Sequence, residues 1–117
     1  MVYVSHAANV LILIAVCSAL WRGDAGLDAS LGPDTPARRI LACVYLAILL
    51  ASLYALLRAG FGAQQVAVQI ALVLFPLQIV YKVATAFAAG LENVVVQANL
   101  AVVALHCVTM VVLIRSA

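Results

Sequence analysis

Four apolar runs, joined by one longer loop and two tight links, decide what this 117-residue chain can become. They cover residues 2–21, 40–57, 65–87 and 94–114. Each is close to the ~20 residues that carry a helix across a ~30 Å hydrocarbon core. Lipid offers no partners to backbone N–H and C=O groups, so a helix is the only open-ended way to cross it. Hydrophobic residues make up 68% of the chain and charged residues 9%. A soluble domain of this size keeps too much surface to hide that much apolar area. The expected fold is all-α: a polytopic membrane protein with four transmembrane helices in a compact up-down bundle with short loops. The helices are expected at about 2–21, 36–58, 65–87 and 94–114, with a loop at 22–35, in one domain covering 1–117.

Local signals place the ends. Thr35 and Pro36 read as N-cap and first helical residue of the second span. The wet turn that follows carries Arg38 and Arg39. Gly60 and Gly62 stop that span, Gly90 reads as a C-cap and Asn93 as an N-cap. The two short links make the last three spans an up-down-up unit, while the longer loop leaves the first span more freedom. No Lys or Arg precedes Arg22, so the first run reads as a retained helix rather than a signal peptide. The Arg22–Asp24 tripeptide, RGD, adjoins the membrane and is a chance match to an adhesion motif.

Both termini fall on one side of an even-numbered bundle, together with Arg58 and Arg115. The other side holds Arg22, Arg38 and Arg39, with Lys82 within reach. The positive-inside rule then puts the loop at 22–39 in the cytoplasm and both termini outside. A net charge of +2 and the lack of a basic stripe argue against nucleic acid. Cys17, Cys43 and Cys107 all lie in apolar runs and read as buried free thiols, although a Cys17–Cys43 pair is sterically open.

Polar residues at membrane depth mark the inward faces, because lipid penalises them. Gln78, Tyr81, Lys82 and Thr85 share one face of the third span at i, i+3, i+4 and i+7. His6 and Asn9, with Leu13 and Cys17, form a stripe on the first. Asn99, His106 and Thr109 form one on the fourth. The inward polar face therefore comprises Asn9, Gln78, Tyr81, Lys82, Thr85, Asn99, His106 and Thr109, and its ordinary use is hydrogen bonding between helices. Lys82 lies near enough to its helix end for its stem to carry the ammonium to the interface. Its functional alternative is a pair with Glu92 or with a lipid phosphate. His6 and His106 are the only candidate haem ligands. At 1.5 Å per residue they sit roughly 6 and 12 Å inside the terminal side, which argues against a shared iron.

Pro76 should kink the third span. Ala47 and Ala51 form a small-xxx-small pair suited to close packing. Trp21 and Tyr54 read as interface anchors. No acid lies within any apolar run, which disfavours proton-coupled drug export. No catalytic or metal-site motif is present, and no cofactor is expected. The sequence thus reads first as a non-enzymatic accessory or structural subunit, with the lipid bilayer and other membrane subunits or its own copies as partners. A small oligomeric transporter or channel, with a polar path between the third and fourth spans, is the alternative. A haem-binding anchor comes third.

Overall fold

The computed structural model describes residues 1–117. It contains α1 (Val2–Trp21), a 3-10 turn (Ala25–Leu27), the single helical turn α2 (Asp28–Leu31), α3 (Pro36–Gly60), α4 (Gln64–Ala89) and α5 (Val94–Ser116). The chain is all-α. Helices α1, α3, α4 and α5 are each long and apolar enough to cross a membrane. The expected spans are all present, and α3, α4 and α5 run one to two residues beyond their expected ends.

Each long helix buries one stripe. The buried positions on α3 are 38, 42, 45, 48, 52 and 55, and on α5 they are 96, 99, 102, 106 and 109. Steps of three and four keep a face turned inward on a helix of 3.6 residues per turn. The remaining faces are apolar and open: Leu11, Val73 and Val80 are each about 70% exposed. Water would penalise such a surface, and lipid does not, so the molecule is a multi-pass integral membrane protein.

Sequence neighbours pack side by side, α1 on α3, α3 on α4 and α4 on α5, and α5 returns to α1 along a thinner seam. Helices α1 and α4 also touch across the middle. The bundle is therefore flattened, with Cα extents of 43 × 27 × 17 Å. Despite its longer loop, α1 is fully part of the bundle.

The interior is layered. One apolar cluster near the loop side joins Leu13, Cys17 and Leu20 to Ala42, Tyr45 and Ile48. A second, near the termini, joins Val2 to Ala55, Ala67, Ala71 and Phe75. His6, Asn9, Ser52 and Gln78 fall between them in sequence on three helices and form a polar belt. Small residues let the backbones approach here, but they are Ala55, Ala67 and Ala71, all fully buried. The expected pair is not the one used, since Ala47 faces outward and Ala51 is only half-buried.

Two helix ends close in the same way. After α1, Gly23 takes φ +63° while Asp24 N bonds Ala19 O and Gly23 N bonds Leu20 O. After α3, Gly62 takes φ +87° while Ala63 N bonds Arg58 O and Gly62 N bonds Ala59 O. Both are Schellman caps, whose left-handed residue favours glycine. The RGD tripeptide is thus a helix terminator. Gly62 ends α3, and Gly60 is its last helical residue. Asn93 caps α5 by accepting from the N–H groups of Val95 and Val96. Thr35 precedes Pro36 as expected but makes no side-chain cap. Helix α4 continues through Pro76. All three cysteines are free, and Cys43 and Cys107 face outward; only Cys17 is buried.

Candidate functional site

The polar belt is a directed chain of hydrogen bonds. His6 Nε2 lies 3.0 Å from Ala67 O, and a carbonyl only accepts, so Nε2 carries the proton. Nδ1 of the neutral ring then accepts from Ser52 Oγ at 3.2 Å. Ser52 Oγ in turn accepts from Asn9 Nδ2 at 3.0 Å. The second amide proton of Asn9 goes to Gln78 Oε1 at 2.8 Å, and Gln78 Nε2 returns to Asn9 Oδ1 at 3.3 Å. One chain of bonds therefore ties α1 to α3 and α4. Ser52 is not among the polar residues that the sequence singles out. Its position on the buried stripe three residues before Ala55 is the signal of its role.

A second polar contact lies beside the belt. Ser5 and Thr109 share a 2.7 Å hydroxyl pair between α1 and α5, and Thr109 Oγ1 also donates to Leu105 O at 3.0 Å. His106 is fully buried on the same face of α5, and neither ring nitrogen has a partner. Its ring stacks on Phe75 at 4.3 Å and 8°. His6 meets Phe75 at 4.7 Å with its plane tilted by 49°. The two histidines thus flank one phenyl ring. They do not fit a bis-histidine haem. Phe75 fills the space between them, and both nitrogens of His6 are committed to protein groups.

The third group surrounds Lys82, which is 5% exposed. Its Nζ donates to Asn99 Oδ1 at 2.8 Å and lies 5.2 Å from the centre of the Tyr81 ring. Thr85 donates to Lys82 O at 2.6 Å and accepts from Asn99 Nδ2 at 3.4 Å, which turns the Asn99 carbonyl toward the ammonium. Lys82 therefore does not snorkel. It also does not pair with Glu92, which is exposed, or with any other acid. The Tyr81 hydroxyl faces the Gln78 side without closing a hydrogen bond.

Two cavities meet at Asn99. One, of about 70 Å³, opens along the thin α1–α5 seam and is lined by Ile12, Val16, Ala98 and Val102, with Lys82 and Asn99 as its polar groups. The other, of about 140 Å³, lies under α2 and is lined by Ser30, Tyr81, Thr85, Asn93 and Asn99 among apolar side chains. Tyr45 and Val95 border both.

The roof of the second cavity is pinned from two sides. Asn93 Nδ2 donates to Ser30 O at 2.8 Å. Arg38 is 2% exposed, and its guanidinium reaches Asp28 Oδ1 at 2.6 Å, Gly32 O at 2.8 Å and Asp24 O at 2.6 Å. The expectation of a wet Arg38 is corrected: it staples the loop, and only Arg39 is free to face solvent. The signal was its phase, four residues before Ala42 on the buried stripe. Asp34 pairs with Arg39, whose hydrogen bond holds the Asp34 carboxyl below its ordinary range. At the other end of α3, Arg58 donates to Tyr54 Oη at 2.9 Å, and Tyr54 and Trp21 are exposed at opposite ends of the bundle. The polar residues named from sequence thus fall into separate groups: the belt with Asn9 and Gln78, the α5 pair with Thr109 and His106, and the cluster of Tyr81, Lys82, Thr85 and Asn99. They do not form one continuous path.

No protein-family model, curated protein or solved structure matches this chain.

Proposed function

We propose that the protein is a non-enzymatic accessory or structural subunit of a larger membrane complex. The observation that carries this reading is the belt from Asn9 to Ala67, in which the polar groups satisfy one another. Groups engaged in this way fix helix register rather than wait for a substrate. The outer surface is then left to lipid and to neighbouring chains. Orientation follows the positive-inside rule, with the arginine-bearing loop in the cytoplasm and both termini outside. Mild-detergent pull-down of a tagged chain from its native membrane tests the assignment. Larger membrane proteins should co-purify at fixed stoichiometry. Purification as a bare oligomer that moves a solute in liposomes would replace it with the transport reading. That second reading draws on Lys82, a cation that lines the α1–α5 cavity with no acid paired to it.

A further inference from the structure

Lys82 is a buried cation that no acid of the chain offsets, unlike Arg38, which is paired with Asp28. An ammonium has three N–H donors, and only one meets a protein oxygen, that of Asn99. No acid forms an ion pair with it. A buried charge is tolerated when it is paired. The partner should therefore come from outside the chain and be an anion.

The cavities say which kind of anion can arrive. The α1–α5 seam opens sideways, and its walls are the apolar side chains of Ile12, Val16, Ala98 and Val102, so entry is from lipid. Lys82 lies seven residues before the last residue of α4, and Asn99 lies five after the first of α5. These positions are roughly 10 and 8 Å from the loop-side helix ends. With α4 centred in the bilayer, they are within about 6 Å of the hydrocarbon boundary. An amphiphile lying among the lipids can bring a headgroup to that depth. At about 70 Å³ the seam is narrow, which favours one chain and a compact head over the two chains and bulky head of a phospholipid. Two free ammonium protons and the second amide proton of Asn99 suit the two oxygens of a carboxylate.

We propose that the α1–α5 seam binds the carboxylate of a single-chain membrane amphiphile, with Lys82 as its counter-charge, Asn99 as its neutral donor and the seam holding the first part of its chain. The site does not depend on the chain's having a protein partner.

Native mass spectrometry of the intact protein in a neutral detergent tests this, with oleate as the probe. Oleyl alcohol supplies the same chain without the charge, phosphatidylglycerol an anionic two-chain lipid, and acetate the head without the chain. Oleate should be retained at one per protein and should bind at least about tenfold more tightly than oleyl alcohol, as expected for a charge-assisted contact. Lys82→Met should remove that preference, and Lys82→Arg should keep most of it. Ala98→Phe changes no polar group but fills the seam from its outer side, so it should also weaken oleate. It decides the matter if Lys82→Met does not fold. Equal binding of oleate and oleyl alcohol would overturn the proposal, as would undiminished oleate binding in Ala98→Phe. Preference for phosphatidylglycerol would overturn the single-chain assignment. Competition by acetate at concentrations like those of oleate would make the site one for free anions and sink the amphiphile.

Discussion

Asn9 and Gln78 exchange hydrogen bonds in both directions across the bundle, at 2.8 and 3.3 Å, joining α1 to α4 over 69 residues of sequence. Each amide is the other's partner, and both are buried. Removing either leaves polar groups of the other without a partner, although Asn9 keeps its bond to Ser52. Gln78→Leu or Asn9→Leu should therefore each destabilise the bundle by about 1–2 kcal/mol, more than the ~0.6 kcal/mol average for a membrane hydrogen bond, because unpaired amide groups remain. The double substitution should cost less than the two singles together. Unfolding in sodium dodecyl sulfate across the four proteins measures the coupling, and strict additivity would show that the pair is not a unit.

His106 and His6 flank the same phenyl ring but should respond oppositely to loss of their nitrogens. His106 has two buried nitrogens without partners, a cost that the folded state carries. His106→Phe keeps the stack on Phe75 and removes that cost, so stability should hold or rise by about 1 kcal/mol. His6→Phe breaks the bonds to Ser52 and Ala67, and should cost about 1–3 kcal/mol. The same unfolding assay compares them. A large loss for His106→Phe would mean that its nitrogens have a partner in the membrane, such as bound water.

The four spans were legible because length and hydropathy are enough to assign a membrane helix. The inward stripes were legible because period 3.6 groups Gln78 with Lys82 and His6 with Asn9 before any contact is known. What the sequence could not supply was rotation and stagger between helices. Those decide that Lys82 turns to Asn99 rather than to the interface, and that Phe75 slots between two histidines whose positions along their helices differ. Hydroxyls suffer most. Ser5 and Ser52 lie in alanine-rich stretches where a serine is cheap on any face, so their role depends on the partner found across the gap. Arg38 and Arg39 are alike in type and adjacent in sequence, and only the phase of the buried stripe separates them.

That separation is testable. Arg38 is buried and bonded to Asp28 and two loop carbonyls, whereas Arg39 is exposed and touches only Asp34. Arg38→Met should release residues 24–32, seen as faster amide hydrogen exchange there, at a local cost of about 1–3 kcal/mol for hydrogen bonds to a charged donor. Arg39→Met should leave that exchange unchanged. Its effect should appear in pH dependence. The hydrogen bond from Arg39 lowers the folded value of Asp34, so the pair's contribution is present above the ordinary aspartate value of about 3.9 and fades as pH falls through the lower folded value. In Arg39→Met the Asp34 titration, followed by carboxyl NMR, should move up toward the ordinary value. An unchanged titration would show that Arg39 does not set it.

Gly23 and Gly62 have similar left-handed backbones, at φ +63° and +87°, but different surroundings. A Cβ at Gly62 would meet nothing within 4 Å, so Gly62→Ala should cost only the backbone term, about 1 kcal/mol. Gly62→Asn should cost less, since asparagine enters this region more readily. A Cβ at Gly23 would come within 2.9 Å of Asp34 Oδ2, the oxygen that pairs with Arg39. Gly23→Ala should therefore pay the same backbone strain and also push the Asp34 carboxylate away from the guanidinium. Two readouts separate these effects. Unfolding midpoints should fall in both alanine variants, while the Asp34 titration should shift upward only in Gly23→Ala. A shift in neither would mean that the carboxylate rotates aside and recovers its partner, leaving backbone strain as the whole cost at both sites.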